Sequence, residues 1–134
     1  MIIDENSHFT LELYESPVLH LVSEWKGLIT AELYKEKIDL ILRNCFEYDV
    51  NRIIFDQRYI SSIPKGAYEY YKIQMKEYAK LNGCMYRAII IKANSFVSIV
   101  IDNHEDGQTY EAVQFFSNQL DAVEWFENCE NETH

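Results

Sequence analysis

Four glycines, two prolines and only 12 Lys plus Arg against 22 Asp plus Glu set the first bounds on this chain of 134 residues. So few glycines make a phosphate-cradling loop hard to build. The G-x-S-x-G elbow of serine hydrolases and the H-E-x-x-H pair of zinc proteases are both missing, so no enzyme signature is present. The net charge of −10 argues against nucleic acid and anionic lipid as partners, because both need basic surface to replace counterions. Lys72, Lys76 and Lys80 make the one regular basic row, but Glu69, Glu77 and tyrosines interrupt it, and it reads as a solvated helix face.

Cysteine is equally sparse. Cys45, Cys84 and Cys129 are odd in number and far apart, so no disulfide framework follows, and no Cys/His cluster has zinc spacing. Neither a metal nor a cofactor is expected. Reduced thiols suit the cytosol. No stretch approaches the roughly 18 apolar residues of a membrane span, and the first residues lack the basic and apolar regions of an export signal. The expectation is a cytoplasmic protein with no membrane insertion.

What the sequence does have is 48% hydrophobic and 14% aromatic residues, enough for a core that takes roughly 68% of the unfolded surface out of water. Phe9, Leu11 and Leu13 alternate with Thr10, Glu12 and Tyr14, and a turn at Glu15-Ser16-Pro17 leads into Val18–Val22, which reads as an opening β-hairpin. Thr30 is placed to cap a helix whose buried face holds Tyr34, Ile38, Ile41, Leu42 and Cys45. Arg52–Asp56 is a short β-branched strand, and Gln57–Ile63 reads as the loop after it. Pro64, behind a capping Ser62, starts a second helix with the stripe Ala67, Tyr71, Met75 and Tyr78, stopped at Asn82-Gly83.

Arg87–Lys92 is an unbroken apolar run of the kind a strand covered on both faces shows, and it is the candidate for the sheet centre. Ser95–Ile101 reads as a helix, with strand as the alternative. Ala112–Phe116 closes the sheet, and Ser117 caps a last helix carrying Leu120, Ala122, Val123, Trp125 and Phe126. The order ββαβαβαβα predicts an α/β fold with a mostly parallel, mixed five-stranded sheet, right-handed crossovers and one opening hairpin. Residues 1–134 are read as a single domain with 1–8 and 128–134 as loose ends.

That order and four local features resemble the SpoIIAA-like and STAS domains. The features are Trp25-Lys26-Gly27, the strand Ile53-Ile-Phe-Asp56-Gln-Arg58, the buried run ending at Ile91, and the closing segment from Phe115 to Phe126 with its Trp125. The resemblance covers Phe9 to Phe126. It implies a non-catalytic regulatory or protein-interaction module. Anti-sigma-factor antagonists of that kind are switched by phosphorylation of a serine in an Asp-Ser-Ser-Gly motif at a helix N-terminus. The matching stretch here is Ser61-Ser62-Ile63-Pro64-Lys65-Gly66, where Pro64 and Lys65 stand in place of the acidic residue and the switch serine. The resemblance therefore implies a module without that switch, and Ser61 and Ser62 read first as caps. Some relatives resemble lipid-carrying domains.

Asp56 and Arg58, two residues apart at the carboxyl end of a strand, share one side, where open α/β sheets hold their ligands. They can grip a polar ligand or satisfy each other. Trp25 offers either a stacking surface at a strand end or a core aromatic. Leu33 and Leu40, with Ile73, fall off the inward faces of their helices and mark a candidate surface for a protein partner or a homodimer. Asp102, His104 and Asp106 imitate the start of a calcium loop, but the third place is His104 and the twelfth is Val113. His8 and His134 lie near the termini, and His20, opposite in direction to Leu19 and Leu21, reads as an edge or solvent residue. The alternative function is a binder of a small apolar or amphipathic ligand in a cavity lined by Tyr71, Met75, Phe96 and Val100.

Overall fold

The computed structural model describes residues 1–82, 85–92 and 111–132. The strands are β1 (Ile2–Glu5), β2 (Phe9–Tyr14), β3 (His20–Leu28), β4 (Arg52–Ser62), β5 (Met85–Ile90) and β6 (Glu111–Phe116). Three helices lie among the described residues: α1 (Ala31–Tyr48), α2 (Ala67–Asn82) and α3 (Gln119–Glu132). Sequence order and spatial order coincide, β1-β2-β3-β4-β5-β6, so every connection joins neighbours. The first three strands pair antiparallel and the pairs β3–β4, β4–β5 and β5–β6 are parallel.

The alternation in β2 does what its period predicts: Phe9, Leu11 and Leu13 are buried while Thr10 and Glu12 are not. Ile53–Asp56 of β4 and all six residues of β5 are buried, as strands covered on both faces should be. One face packs on α1 and α2, with Trp25, Ile38, Ile41, Phe55, Tyr71 and Met75 in its core. The other face packs on α3 through Val22, Ile54, Ala88, Ile90, Ala122 and Phe126. Completely burying Phe126 is worth roughly 2 kcal/mol from apolar area alone, which makes it the main anchor of α3.

Several expectations change. The sheet has six strands rather than five. Residues 1–8 were expected to be loose, but Ile2–Glu5 forms β1 and is held by an ion pair of 2.8 Å from Asp4 Oδ2 to the buried Lys37 Nζ of α1. At the other end α3 continues to Glu132 rather than stopping before a loose end. The sheet centre is β3 and β4, with β5 one strand in from the β6 edge.

Strand lengths change as well. β3 runs on to Leu28 because β2 pairs along it, Phe9 opposite Trp25. β4 runs on to Ser62 because β3 continues beside it, Leu28 opposite Ser62. Gln57–Ser62 is therefore strand and not loop.

Helix caps are mixed in outcome. Thr30 Oγ1 accepts from Leu33 N at 3.1 Å, the cap that its position predicts. Ser62, by contrast, ends β4, and α2 begins only at Ala67. The last helix is capped by Asn118, whose Oδ1 accepts from Asp121 N at 2.9 Å, rather than by Ser117. In α2 the fourth buried position is Ala79, with Tyr78 half-buried. Ser95–Ile101 lies outside the described residues. No helix among the described residues is long and apolar enough to cross a membrane.

Candidate functional site

Parallel strands end together, and here the carboxyl ends of β3 and β4 meet the start of α3. Glu24 of β3 is the register partner of Asp56 of β4, which brings two carboxylates side by side. Asp56 is buried to 2% exposure and Arg58 lies two residues on. Arg58 Nε donates to Asp56 Oδ1 at 3.0 Å and Nη2 donates to Oδ2 at 2.7 Å, a forked pair. The backbone N–H of Arg58 adds a 3.3 Å bond to Oδ1. Gln119, the first residue of α3, completes the set: its Nε2 donates to Asp56 Oδ2 at 2.8 Å and to Glu24 Oε2 at 3.0 Å.

The electrostatics follow from these contacts. Burial pushes the Asp56 carboxyl up, but the hydrogen bonds from Arg58 and Gln119 and the guanidinium charge outweigh it and hold the group below the usual carboxylate range. The bonds to Asp56, with burial opposing them, raise the Arg58 guanidinium. With two donors on each oxygen, Asp56 has no lone pair spare for a proton or a ligand. An ionised, saturated carboxylate is a poor general base near neutral pH, so the geometry makes this a structural clasp.

Beside the clasp three large apolar side chains at the strand ends are exposed among polar ones such as Lys26 and Ser62. Leu28 is 61% exposed, Tyr59 56% and Ile63 43%. Lys26 is the register partner of Tyr59, and Leu28 that of Ser62, so these side chains crowd the last residues of two paired strands. The Tyr59 ring has the Arg58 guanidinium 5.3 Å from its centroid and the Lys92 ammonium 5.8 Å from it. Gly27, between Lys26 and Leu28 in the chain, has φ +74°, and a Cβ there would come within 3.3 Å of His8 Nδ1.

The other candidates are placed elsewhere. Trp25 is a core residue with no exposure, its Nε1 donating to Ser23 Oγ at 3.1 Å and its ring edge-on to Phe9. It shares β3 with Glu24 but points to the opposite sheet face, where it offers no surface for stacking. Leu33 and Leu40 are half-buried against the α1–α2 core, on the sheet face opposite α3, whereas Ile73 is exposed. Tyr71 and Met75 are buried in that same core, and Tyr71 OH accepts from Arg87 Nη1 at 2.6 Å.

Phe96 and Val100, like Asp102, His104, Asp106, Cys84 and His134, lie outside the described residues. Among the described residues no three His, Cys, Asp or Glu side chains gather as a metal site would require. Cys45 is buried, which pushes its thiol far up and leaves it unreactive.

His20 is the clearest departure from expectation. It is buried, with Nδ1 donating to Val18 O at 2.6 Å and its ring stacked on Tyr14 at 5.2 Å, because Phe126 of α3 closes over it at 5.8 Å. Glu24 and Gln119 are the site members that reading the sequence missed. Glu24 carried a faint signal, since it precedes Trp25 at the end of a run that can extend the second strand of the hairpin. Gln119 carried none.

No protein-family model matches this chain, and no curated protein matches it in sequence. Solved structures do. An uncharacterised protein of Shewanella loihica PV-4 with a SpoIIAA-like fold superposes with a TM-score of 0.64 at 17% identity, over 92% of this chain and 98% of its own. The anti-sigma factor antagonist SpoIIAA in its unphosphorylated form gives 0.62 at 14% identity, over 89% and 97%. The Bacillus cell fate determinant SpoIIAA in its phosphorylated form gives 0.54 at 16%, over 88% and 98%. The chain has the SpoIIAA-like fold, as its element order and motifs implied.

Proposed function

We propose that this chain is a non-catalytic protein-interaction module that docks a protein partner at the carboxyl ends of β3 and β4. One observation carries the reading: Leu28, Tyr59 and Ile63 stand exposed at the ends of two neighbouring strands, while Asp56 and Arg58 next to them are locked in a clasp. Exposed aromatic and aliphatic side chains on a rigid platform are what binding hot spots are made of, whereas catalysis needs a free acid, base or nucleophile. The fold is shared with an anti-sigma factor antagonist, a protein that acts through other proteins, which supports a regulatory role.

The module works without a phosphorylated-serine switch. Between the end of β4 at Ser62 and the start of α2 at Ala67 the residues are Ile63, Pro64, Lys65 and Gly66, so the turn before the helix carries no hydroxyl. Ser61 and Ser62 are exposed but belong to the strand.

A photo-crosslinking amino acid placed at Leu28, with one at Phe46 as control, tests the reading in cells. Phe46 is 74% exposed on α1, far from the strand ends. A discrete adduct with one partner from position 28 and none from position 46 is the expected result. Adducts from position 46 alone, or from neither, would overturn the assignment of this surface.

A further inference from the structure

β4 outruns its neighbour on one side. Its pairing with β5 stops where Asp56 lies opposite Ile90, whereas its pairing with β3 goes on through Tyr59 and Ile60 to Ser62. Gln57–Ser62 therefore has β3 along one edge and no described strand along the other. The N–H of Ile91, the next residue after β5, goes to Phe116 O of β6 at 3.0 Å and not to β4.

A strand edge without a neighbour presents main-chain N–H and C=O groups that nothing in the fold uses. Ser62 O accepts from Ile29 N at 3.3 Å on the β3 side, and the Arg58 N–H is held by Asp56 Oδ1. Among the described residues nothing pairs with the main chain of Gln57–Ser62 on the side away from β3. Tyr59, Ser61 and Ser62 are exposed. The Lys92 ammonium, two residues past the end of β5, lies 5.8 Å from the Tyr59 ring, so the tyrosine borders the place that a longer β5 would fill.

The chemistry of this edge selects its occupant. Donors and acceptors repeating along a strand are matched by another extended main chain, whereas a helix has its own main chain committed to internal bonds. A second copy of this chain would also bring a strand edge, but at a net −10 apiece two copies repel each other.

We propose that a protein partner docks by adding an extended segment of its own chain to the free edge of β4 at Gln57–Ser62, in line with β5. This rests on the reading of the strand ends as a docking surface and adds the form in which the partner binds. Side chains of an added strand alternate between the two sheet faces, so every second residue of the segment falls on the face of Tyr59, beside which aromatic and β-branched residues pair well.

Peptides selected from a random display library on the immobilised full chain supply the probe. Those whose affinity by fluorescence anisotropy falls at least tenfold in Leu28→Asp, a variant expected to keep the wild-type melting temperature because Leu28 is exposed, bind the strand ends. Each is then resynthesised with a single backbone N-methyl group at every position in turn, which deletes one main-chain donor and leaves the side chains alone. Methylation at alternate positions should weaken binding to the wild type at least tenfold, and at the positions between them less than twofold. Hydrogen exchange followed by NMR should show amides within Gln57–Ser62 slowed at least tenfold by the bound peptide. The protein is unaltered in both measurements, so a misfolded variant cannot imitate either result.

Leu28-dependent peptides that show no alternation and protect no amide within Gln57–Ser62 overturn strand addition and leave the docking surface in place. Enriched peptides all indifferent to Leu28→Asp, or no enriched peptide at all, overturn the docking surface and the proposal with it. A dimer in sedimentation equilibrium that Leu28→Asp dissolves, with the same amides protected in the dimer, assigns the edge to a second copy and overturns the proposal.

Discussion

The side-chain nitrogen of Gln119 stands 2.8 Å from Asp56 Oδ2, joining residues 63 apart in sequence. That single bond ties the start of α3 to the carboxyl end of β4. Asp56 in turn orients Arg58, whose guanidinium lies over the Tyr59 ring. The clasp is thus a positioning device for the exposed side chains beside it.

Breaking the clasp exposes its energetics. Arg58→Ala leaves a buried carboxylate without its cation and should lower unfolding stability by about 2 kcal/mol, a value discounted because the guanidinium is partly exposed. Gln119→Leu removes a neutral donor and should cost about 1 kcal/mol. Urea denaturation of both variants measures the order, and equal costs would deny Arg58 its leading role.

Acid should act through Asp56. Its pKa is lowered in the folded chain, so the clasp's contribution is complete above the unfolded value of 3.8 and is lost as pH falls through the lower folded value. Wild-type stability should therefore drop below about pH 4 more steeply than that of Asp56→Asn. Melting temperatures at matched ionic strength check it, with parallel curves excluding the effect.

His20 should give a separate step at milder pH. Burial lowers its pKa from 6.5, with the Arg52 charge adding to the shift and the Val18 carbonyl opposing it. The unfolded chain then binds the proton first, so stability is complete above about pH 6.5 and declines as pH falls from there toward the folded value. His20→Phe keeps a ring between Tyr14 and Phe126 and should abolish the decline. A wild-type curve that is flat between pH 7 and pH 5 would contradict this.

Gly27 and Gly66 separate two costs of a side chain. Both have positive φ, but only at Gly27 would a Cβ meet an atom, His8 Nδ1 at 3.3 Å. Gly66→Ala should cost about 1 kcal/mol from backbone strain alone, and Gly27→Ala more than that. The difference is read from chemical denaturation midpoints.

The fold was more legible than the site. Phe9, Leu11 and Leu13 in alternation, the unbroken run Arg87–Lys92, and Thr30 ahead of a helical stripe are local signals, and the structure follows them with a strand over Met85–Ile90 for the run. What failed was set by neighbours. Gln57–Ile63 reads as a loop because nothing in its own composition reveals that β3 lies alongside residues 57–62, and Ser23–Leu28 become strand only because β2 and β4 pair with them.

His20 follows the same pattern, reading as solvent-facing although Phe126, 106 residues on, covers it. Asp56 and Arg58 were found because their spacing alone predicts the contact; Glu24 and Gln119 needed the parallel register and the start of α3. Helical spacing points to Leu33 and Leu40 for an exposed apolar group, but both are half-buried against the core, whereas Leu28, Tyr59 and Ile63 are exposed by the ends of strands.

The affinity of the partner crosslinked at position 28 for the purified protein tests the central claim most directly. Titration calorimetry should show Leu28→Asp weakening binding at least tenfold, about 1.4 kcal/mol, while Phe46→Asp at the far end changes it less than twofold. The reverse pattern, with Phe46→Asp weakening binding and Leu28→Asp leaving it intact, would place the interface elsewhere and contradict the account.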